Sequence, residues 1–146
     1  MSMDETRPEP NILLVEDNPI DVLMIKRALR NSGFKNQPIV LDDGVPALAF
    51  LGERINLEGG ALPDLVILDL NLRKVDGPEV LSYIRGTPEL KDLRVILLSS
   101  MPEDLMKEKT AEADCYIEKP DDVTSFLNLG ERIRSFYWDA AKAAGA

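Results

Sequence analysis

Three short, uninterrupted apolar runs limit what this chain can fold into more than any other feature: Ile12-Leu13-Leu14-Val15, Leu65-Val66-Ile67-Leu68 and Val95-Ile96-Leu97-Leu98. They are too short for buried helices and lack the polar alternation of a half-exposed strand. Each therefore reads as a strand covered on both faces, the habit of central strands in a parallel sheet. Weaker runs at Ile39-Val40-Leu41 and Cys115-Tyr116-Ile117 complete a set of five. Helical spacing fills the intervals: Pro19 to Asn31, Val45 to Leu57, Pro78 to Arg85, Pro102 to Ala113 and Asp122 to Ala141. Strand and helix thus alternate five times. That order predicts a doubly wound α/β fold, because right-handed crossovers lay helices on both faces of a parallel sheet.

The expected strand order is 2-1-3-4-5, the flavodoxin-like arrangement, in which ligands bind beyond the carboxyl ends of strands 1 and 3, where the order reverses. The 146 residues suit one domain, expected over 11–141 after a polar, Pro-rich disordered lead-in at 1–10 and before a flexible tail at 142–146. The formal charge of −9 repels nucleic acid and anionic membranes, and no apolar run approaches a membrane span. The lone Cys115 is expected as a buried thiol in a reducing, cytoplasmic setting. With no histidine in the chain, imidazole triads, histidine metal sites and a phosphohistidine of its own are excluded.

Polar residues stand where the apolar runs stop. Glu16-Asp17 follow the first strand, Asp69 and then Asn71 the third, Ser99-Ser100 the fourth, and Lys119-Pro120 the fifth. Taken singly these are ordinary: acids after a strand form turns or caps, Asn18-Pro19 reads as a helix cap, and Lys119 as a loop lysine. Their convergence on one edge is what points to chemistry. Two like charges about 4 Å apart repel by ~4 kcal/mol near a surface, so three carboxylates need a cation or retained protons. Oxygen donors without imidazole or thiolate favour a hard ion, Mg²⁺ with Mn²⁺ as the alternative. Asp69 then becomes a candidate nucleophile for an acyl phosphate, with Lys119 pairing one phosphoryl oxygen and Ser99 donating to another. Ser100 is assigned to structure, since Ser100-Met101-Pro102-Glu103 fits a capping box.

Glu16-Asp17-Asn18, Leu68-Asp69-Leu70-Asn71, Asp76-Gly77, Ser99, Tyr116 and Lys119-Pro120 together resemble the receiver domain of two-component response regulators, from about Asn11 to the final helix. The resemblance implies that Asp69 accepts phosphate from a sensor histidine kinase. It implies that Asp17, Asp69 and the backbone carbonyl of Asn71 bind Mg²⁺, with Glu16 acting through water. It also makes Ser99 and Tyr116 the pair that couples phosphorylation to the face of the fourth helix, fifth strand and fifth helix. Ser99 stands where threonine is commoner, and Arg73 where a proline often follows the acceptor by four residues.

A chain of this extent is expected to carry no output module, so its signal passes by docking a downstream target or by onward transfer to a phosphotransfer protein. Its own enzymatic activity is expected to be at most slow self-dephosphorylation. The last helix carries Phe126, Leu129, Ile133, Phe136, Tyr137 and Trp138, more than one docking stripe needs. The surplus Phe136, Tyr137 and Trp138 could form a homodimer or partner surface, or fold back on their own domain. The Asn-Pro start, Pro63-Asp64-Leu65 and Tyr137-Trp138 look most like stand-alone regulators paired with phytochrome-type sensor kinases. Three rivals stay open. A flavodoxin-like electron carrier would need a phosphate loop that Glu16-Asp17 oppose. A haloacid-dehalogenase-type phosphatase would want a second aspartate where Asn71 stands. A receiver-like interaction module would dispense with phosphorylation.

Overall fold

A computed structural model describes residues 9–57 and 61–139. The three apolar runs become β1 (Ile12–Val15), β3 (Leu65–Asp69) and β4 (Arg94–Ser99), and the weaker two become β2 (Ile39–Leu41) and β5 (Cys115–Glu118). All neighbouring strands pair in parallel in the order β2-β1-β3-β4-β5. The register sets Leu14 beside Ile67 and Ile67 beside Ile96, so like-sized side chains form rows across the sheet.

Alternation along the strands sorts these residues into two cores. Leu13, Val15, Val66, Leu68, Val95 and Leu97 pack with side chains of α2 (Gly44–Asn56), α3 (Gly77–Gly86) and α4 (Glu103–Lys109). Leu14, Ile67, Ile96, Leu98 and Ile117 meet α1 (Pro19–Asn31), α5 (Val123–Leu127) and α6 (Leu129–Arg134) on the other face. Each such side chain, fully buried, contributes ~1.5–3 kcal/mol. The rows across β1, β3 and β4 therefore form the rigid frame from which the loops at the carboxyl edge project.

Helix α1 begins as its sequence predicts. The Asn18 side chain accepts from the backbone N–H groups of Ile20 (2.9 Å) and Asp21 (3.2 Å), with Pro19 in the first turn. Its other end turns at Gly33, whose φ of 97° only glycine adopts readily. Helix α4 departs from expectation. The Ser100 capping box does not form: Ser100 is exposed and the helix starts at Glu103, behind Pro102, without a side-chain cap. The cause lies one residue earlier, where Ser99 Oγ captures the Met101 N–H at 3.1 Å and Pro102, extended at φ −58° and ψ 149°, delays the first turn. The helix ends at Lys109 rather than Ala113.

The expected continuous final helix is instead α5, α6 and a π-helical turn over Ser135–Asp139; its last two residues, at 140–141, lie outside the described residues. A Cβ at Gly130 would overlap the Ala28 carbonyl and Ser32 Oγ, so glycine is what lets α6 lie directly on α1. Cys115 is half-buried rather than buried, because β5 is an edge strand. Within the expected lead-in, Glu9 Oε2 accepts from the Lys35 N–H (3.1 Å) and the Pro10 carbonyl accepts from Asn36 Nδ2 (3.5 Å), tying both residues to the domain. Residues 1–8, the Gly59-Gly60 loop and the 142–146 tail lie outside the described residues. No described helix is long and apolar enough to cross a membrane.

Candidate functional site

Helices α1 and α3 leave β1 and β3 toward opposite faces of the sheet, and the crevice between them opens at the carboxyl edge. Glu16 and Asp17, directly after β1, and Asp69, the last residue of β3, each place a carboxylate oxygen there, all within 4.8 Å of one another. Lys119 arrives from β5, whose end is pinned to β4 by the Lys119 N–H to the Ser99 carbonyl at 2.7 Å. Its ammonium lies 2.6 Å from Glu16 Oε1, 2.9 Å from Asp21 Oδ2 and 3.3 Å from Asp69 Oδ2. The predicted carboxylates and lysine are therefore brought together.

The electrostatics reveal a site rich in negative charge. Burial first, and then the neighbouring Asp69, push the Glu16 carboxyl up to about 7 from the usual 4.5. Burial alone would lower Lys119, yet the Glu16, Asp69 and Asp21 carboxylates outweigh it and hold the ammonium above the usual lysine range. Both shifts have one meaning: without a second cation, the cluster keeps protons to relieve carboxylate repulsion.

The donor set fits a hard divalent cation. Oxygens held ~2.1 Å from such an ion stand ~3–4 Å apart, so small side-chain rotations or one bridging water bring these three into range. Glu16 Oε1 adds an independent indication. It is buried and lies close to Lys119, yet no hydrogen-bond donor is aligned on it among the described residues.

The predicted Asn71 and Ser99 lie beside this cluster. Asp69 Oδ1 accepts from the Asn71 N–H at 3.0 Å, while Asn71 Nδ2 reaches the fully buried Ser99 Oγ at 3.4 Å. Tyr116 sits apart from them, with its ring turned inward. Its hydroxyl donates to the Thr110 carbonyl (2.8 Å) and accepts from the Ala113 N–H (3.3 Å), with Lys107 Nζ 5.7 Å from the ring centre. The ring is thereby tied to the segment between α4 and β5.

Two residues of the site, Asp21 and Asp43, escape sequence reasoning, and Arg73 makes a contact that its position in the sequence does not announce. Asp21, in the first turn of α1, is a partner of Lys119 across 98 residues of sequence. Asp43 caps α2 through the Val45 N–H (3.4 Å) and also accepts from the N–H groups of Lys74 (3.0 Å) and Val75 (3.4 Å). It thus anchors the β3–α3 loop, which Asp76 closes from the other end by accepting from the Leu72 (3.1 Å) and Gly77 (2.9 Å) N–H groups. Burial would raise Asp43, but the N–H groups of Lys74, Val45, Val75 and Gly44 hold it below the ordinary carboxylate range. Asp42-Asp43-Gly44 after a strand was a visible cap signal; its second role depends on the loop that folds over it. Arg73 reaches back so that its Nε lies 3.6 Å from Asp17 Oδ2, although 82% of its side chain is exposed and water screens the pair.

The aromatic end of the chain lies against its own domain. Trp138, 8% exposed, stacks on Phe34 with ring centres 4.6 Å apart. The Tyr137 ring lies 5.2 Å from the Arg94 guanidinium, which also donates to the Tyr137 carbonyl at 3.1 Å. Phe136 and Tyr137 are half-buried. Trp138 thus lies against its own domain in the single chain.

A doubly wound domain that gathers carboxylates, a buried hydroxyl and a lysine at the β1/β3 crossover has the arrangement of a receiver of two-component signalling. The chain belongs to the response regulator receiver domain family, whose pattern matches residues 12–129. It is similar to the response regulator Rcp1 of Synechocystis sp., with 33% identity over 98% of this chain and 99% of that one. Among solved structures it resembles the phosphorylated cyanobacterial phytochrome response regulator RcpA (33% identity, TM-score 0.78, 91% of this chain and 96% of that one). It also resembles the Mn²⁺-bound form of Rcp1 (34% identity, TM-score 0.75, 88% and 94%).

Proposed function

We propose that Asp69 accepts a phosphoryl group from a phosphohistidine on a sensor kinase, in a reaction that depends on a divalent cation. The observation that carries this reading is the Asp69 carboxylate itself. It is buried at the mouth of the crevice, 3.3 Å from the Lys119 ammonium and within 4.8 Å of the Glu16 and Asp17 oxygens. A carboxylate oxygen of Asp69 attacks phosphorus, the P–N bond to the partner's imidazole breaks, and a P–O bond forms. The imidazole leaves with the electron pair and is reprotonated. The chain has no histidine, so the donor comes from another molecule or domain.

Asp17 and Asp69, with the Asn71 carbonyl and with Glu16 through water, would hold Mg²⁺ or Mn²⁺. When bound, the cation neutralises charge developing on the phosphoryl oxygens. Lys119 pairs with one of those oxygens and Ser99 donates its hydroxyl proton to another. Asn71 Nδ2 then gives up Ser99 Oγ, and the Met101 N–H held by the same oxygen carries the change toward α4. Tyr116, tied to the segment before β5, is the second element of this coupling. The signal leaves by docking of a target or by onward transfer, without turnover of an external phosphate ester. Likeness to the phosphorylated phytochrome response regulator RcpA supports a phytochrome-type kinase as the donor, and a cytoplasmic exchange is part of this proposal.

Intact-mass analysis and a phosphate-affinity gel after incubation with acetyl phosphate and Mg²⁺ test the proposal. The wild-type chain should gain one phosphoryl group, with Asp69→Asn or chelation abolishing the gain. The same shift in Asp69→Asn would overturn it.

A further inference from the structure

Asp21 belongs neither to the group of carboxylates that can hold a cation nor to the family's phosphate-binding set, yet it is bound to the residue on which phosphate binding depends. An ammonium has three N–H donors. At Lys119 two of them go to Asp21 Oδ2 at 2.9 Å and Asp69 Oδ2 at 3.3 Å, and Glu16 Oε1 crowds the nitrogen at 2.6 Å without an aligned N–H, so three carboxylates surround the ammonium. A phosphoryl oxygen that engages Lys119 must draw the ammonium away from these carboxylates.

The three differ in what they lose. Glu16 and Asp69 are shared with the cation cluster. Asp21 is not, and its side chain is also the most open of the three, at 21% exposed against 0% and 6%. Its backbone is fixed by the Asn18 cap, which takes its N–H at 3.2 Å. Once Lys119 turns to a phosphoryl oxygen, Asp21 loses its counter-ion and remains beside a group bearing nearly two negative charges.

Resting on the reading that Asp69 is the phosphoacceptor, we propose that Asp21 is a positioning residue that acts through Lys119 as a brake on the phosphorylated state: it holds the ammonium back from the phosphoryl oxygens. Removing its charge leaves Lys119 free to follow the phosphoryl group, so the phosphorylated form gains relative to the resting one.

The test titrates beryllium fluoride, a mimic of the acyl phosphate, at saturating Mg²⁺, read by NMR or native mass spectrometry. Asp21→Asn should bind the mimic about three- to tenfold tighter, the range a partly screened ion pair commands. Asp21→Ser should do the same should asparagine disturb the first helical turn. Asp21→Glu, which restores the charge, should return to wild-type affinity. In a Lys119→Ala background, Asp21→Asn should change affinity by less than about twofold. Unchanged or weaker binding in both Asn and Ser variants overturns the proposal, as does an undiminished gain without Lys119, which would make Asp21 a bare repulsive charge. Wild-type chain that takes no beryllium fluoride at all overturns the reading of Asp69 as well; wild-type binding with indifferent Asp21 variants overturns this proposal alone.

Discussion

A carboxyl buried as deeply as Glu16 is tolerable only when a proton or a cation accompanies its charge, and this gives the site a definite pH signature. In the cation-free chain Glu16 is pushed up to about 7. A carboxyl raised in the folded state stabilises the fold fully below its unfolded value near 4.5, and that contribution is lost as pH rises through about 7. Each unit of difference corresponds to ~1.4 kcal/mol, so the loss is on the order of a few kcal/mol. A divalent cation favours the ionised carboxylate, so the rise in thermal midpoint on adding Mg²⁺ should be small at pH 5.5 and several degrees at pH 8. Differential scanning fluorimetry reads this directly, and Glu16→Gln should flatten the dependence. An equal Mg²⁺ shift at both pH values would separate Glu16 from the cation. Lys119 makes the complementary prediction. It lies against the cluster without being an oxygen donor, so Lys119→Ala should keep divalent-ion binding while acceptor phosphorylation by acetyl phosphate falls on the order of tenfold to a hundredfold. Parallel loss of Mg²⁺ affinity would mean that the ammonium organises the carboxylates rather than the phosphoryl group.

Among the elements, the β3–α3 loop decides whether Asp69 and Asn71 keep their geometry, and the side chain that holds it comes from another part of the chain. Asp43 satisfies two loop N–H groups as well as its own helix cap. Asp43→Ala should therefore cost ~1–2 kcal/mol, seen as a lower urea midpoint with unchanged slope, and Mg²⁺ binding should weaken with it. A stability loss without any change in Mg²⁺ affinity would show that the loop holds its shape without this anchor. The same distinction explains what the sequence made legible. Burial on both faces leaves a direct mark, uninterrupted Val, Ile and Leu, so β1, β3 and β4 could be read nearly to the residue, and with them the carboxyl ends where Glu16, Asp17, Asp69, Ser99 and Lys119 meet. Asp21 and Asp43 could not be recognised as site residues. Each occupies a helix start, where acids are ordinary, and its second partner is brought near only by the crossover. The Ser100 cap failed for a related reason: its box pattern is present, but Ser99 already holds the turn that a Ser100 cap would require. The final helix read as continuous because its apolar spacing persists through Asn128, while the break there and the close crossing at Gly130 arise from packing on α1.

For the molecule as a whole, the two faces of the sheet divide the work. The face under α1, α5 and α6 closes at the end opposite the crevice, where Trp138 stacks on Phe34 and joins the core that includes Ile12, Leu29 and Ile133. With 8% of its surface exposed, Trp138 acts as the last stone of that core. Truncating a buried tryptophan or phenylalanine typically removes 3–5 kcal/mol, a large share of the 5–15 kcal/mol that holds a domain together. Trp138→Ala should thus lower the unfolding free energy by ~3 kcal/mol, whereas Tyr137→Ala, half-buried on Arg94, should lower it by less. Because this patch and the carboxylate crevice lie at opposite ends of the strands, Mg²⁺ affinity of the folded Trp138 variant should match wild type. Urea denaturation, Mg²⁺ titration and light scattering on the same samples separate the two roles open to these aromatics. A stability loss at constant solution mass is the outcome expected of a residue packed on its own domain. A change in mass without a change in stability would mean that Trp138 leaves Phe34 to meet a second copy, and that the core on this face closes only in the assembled pair.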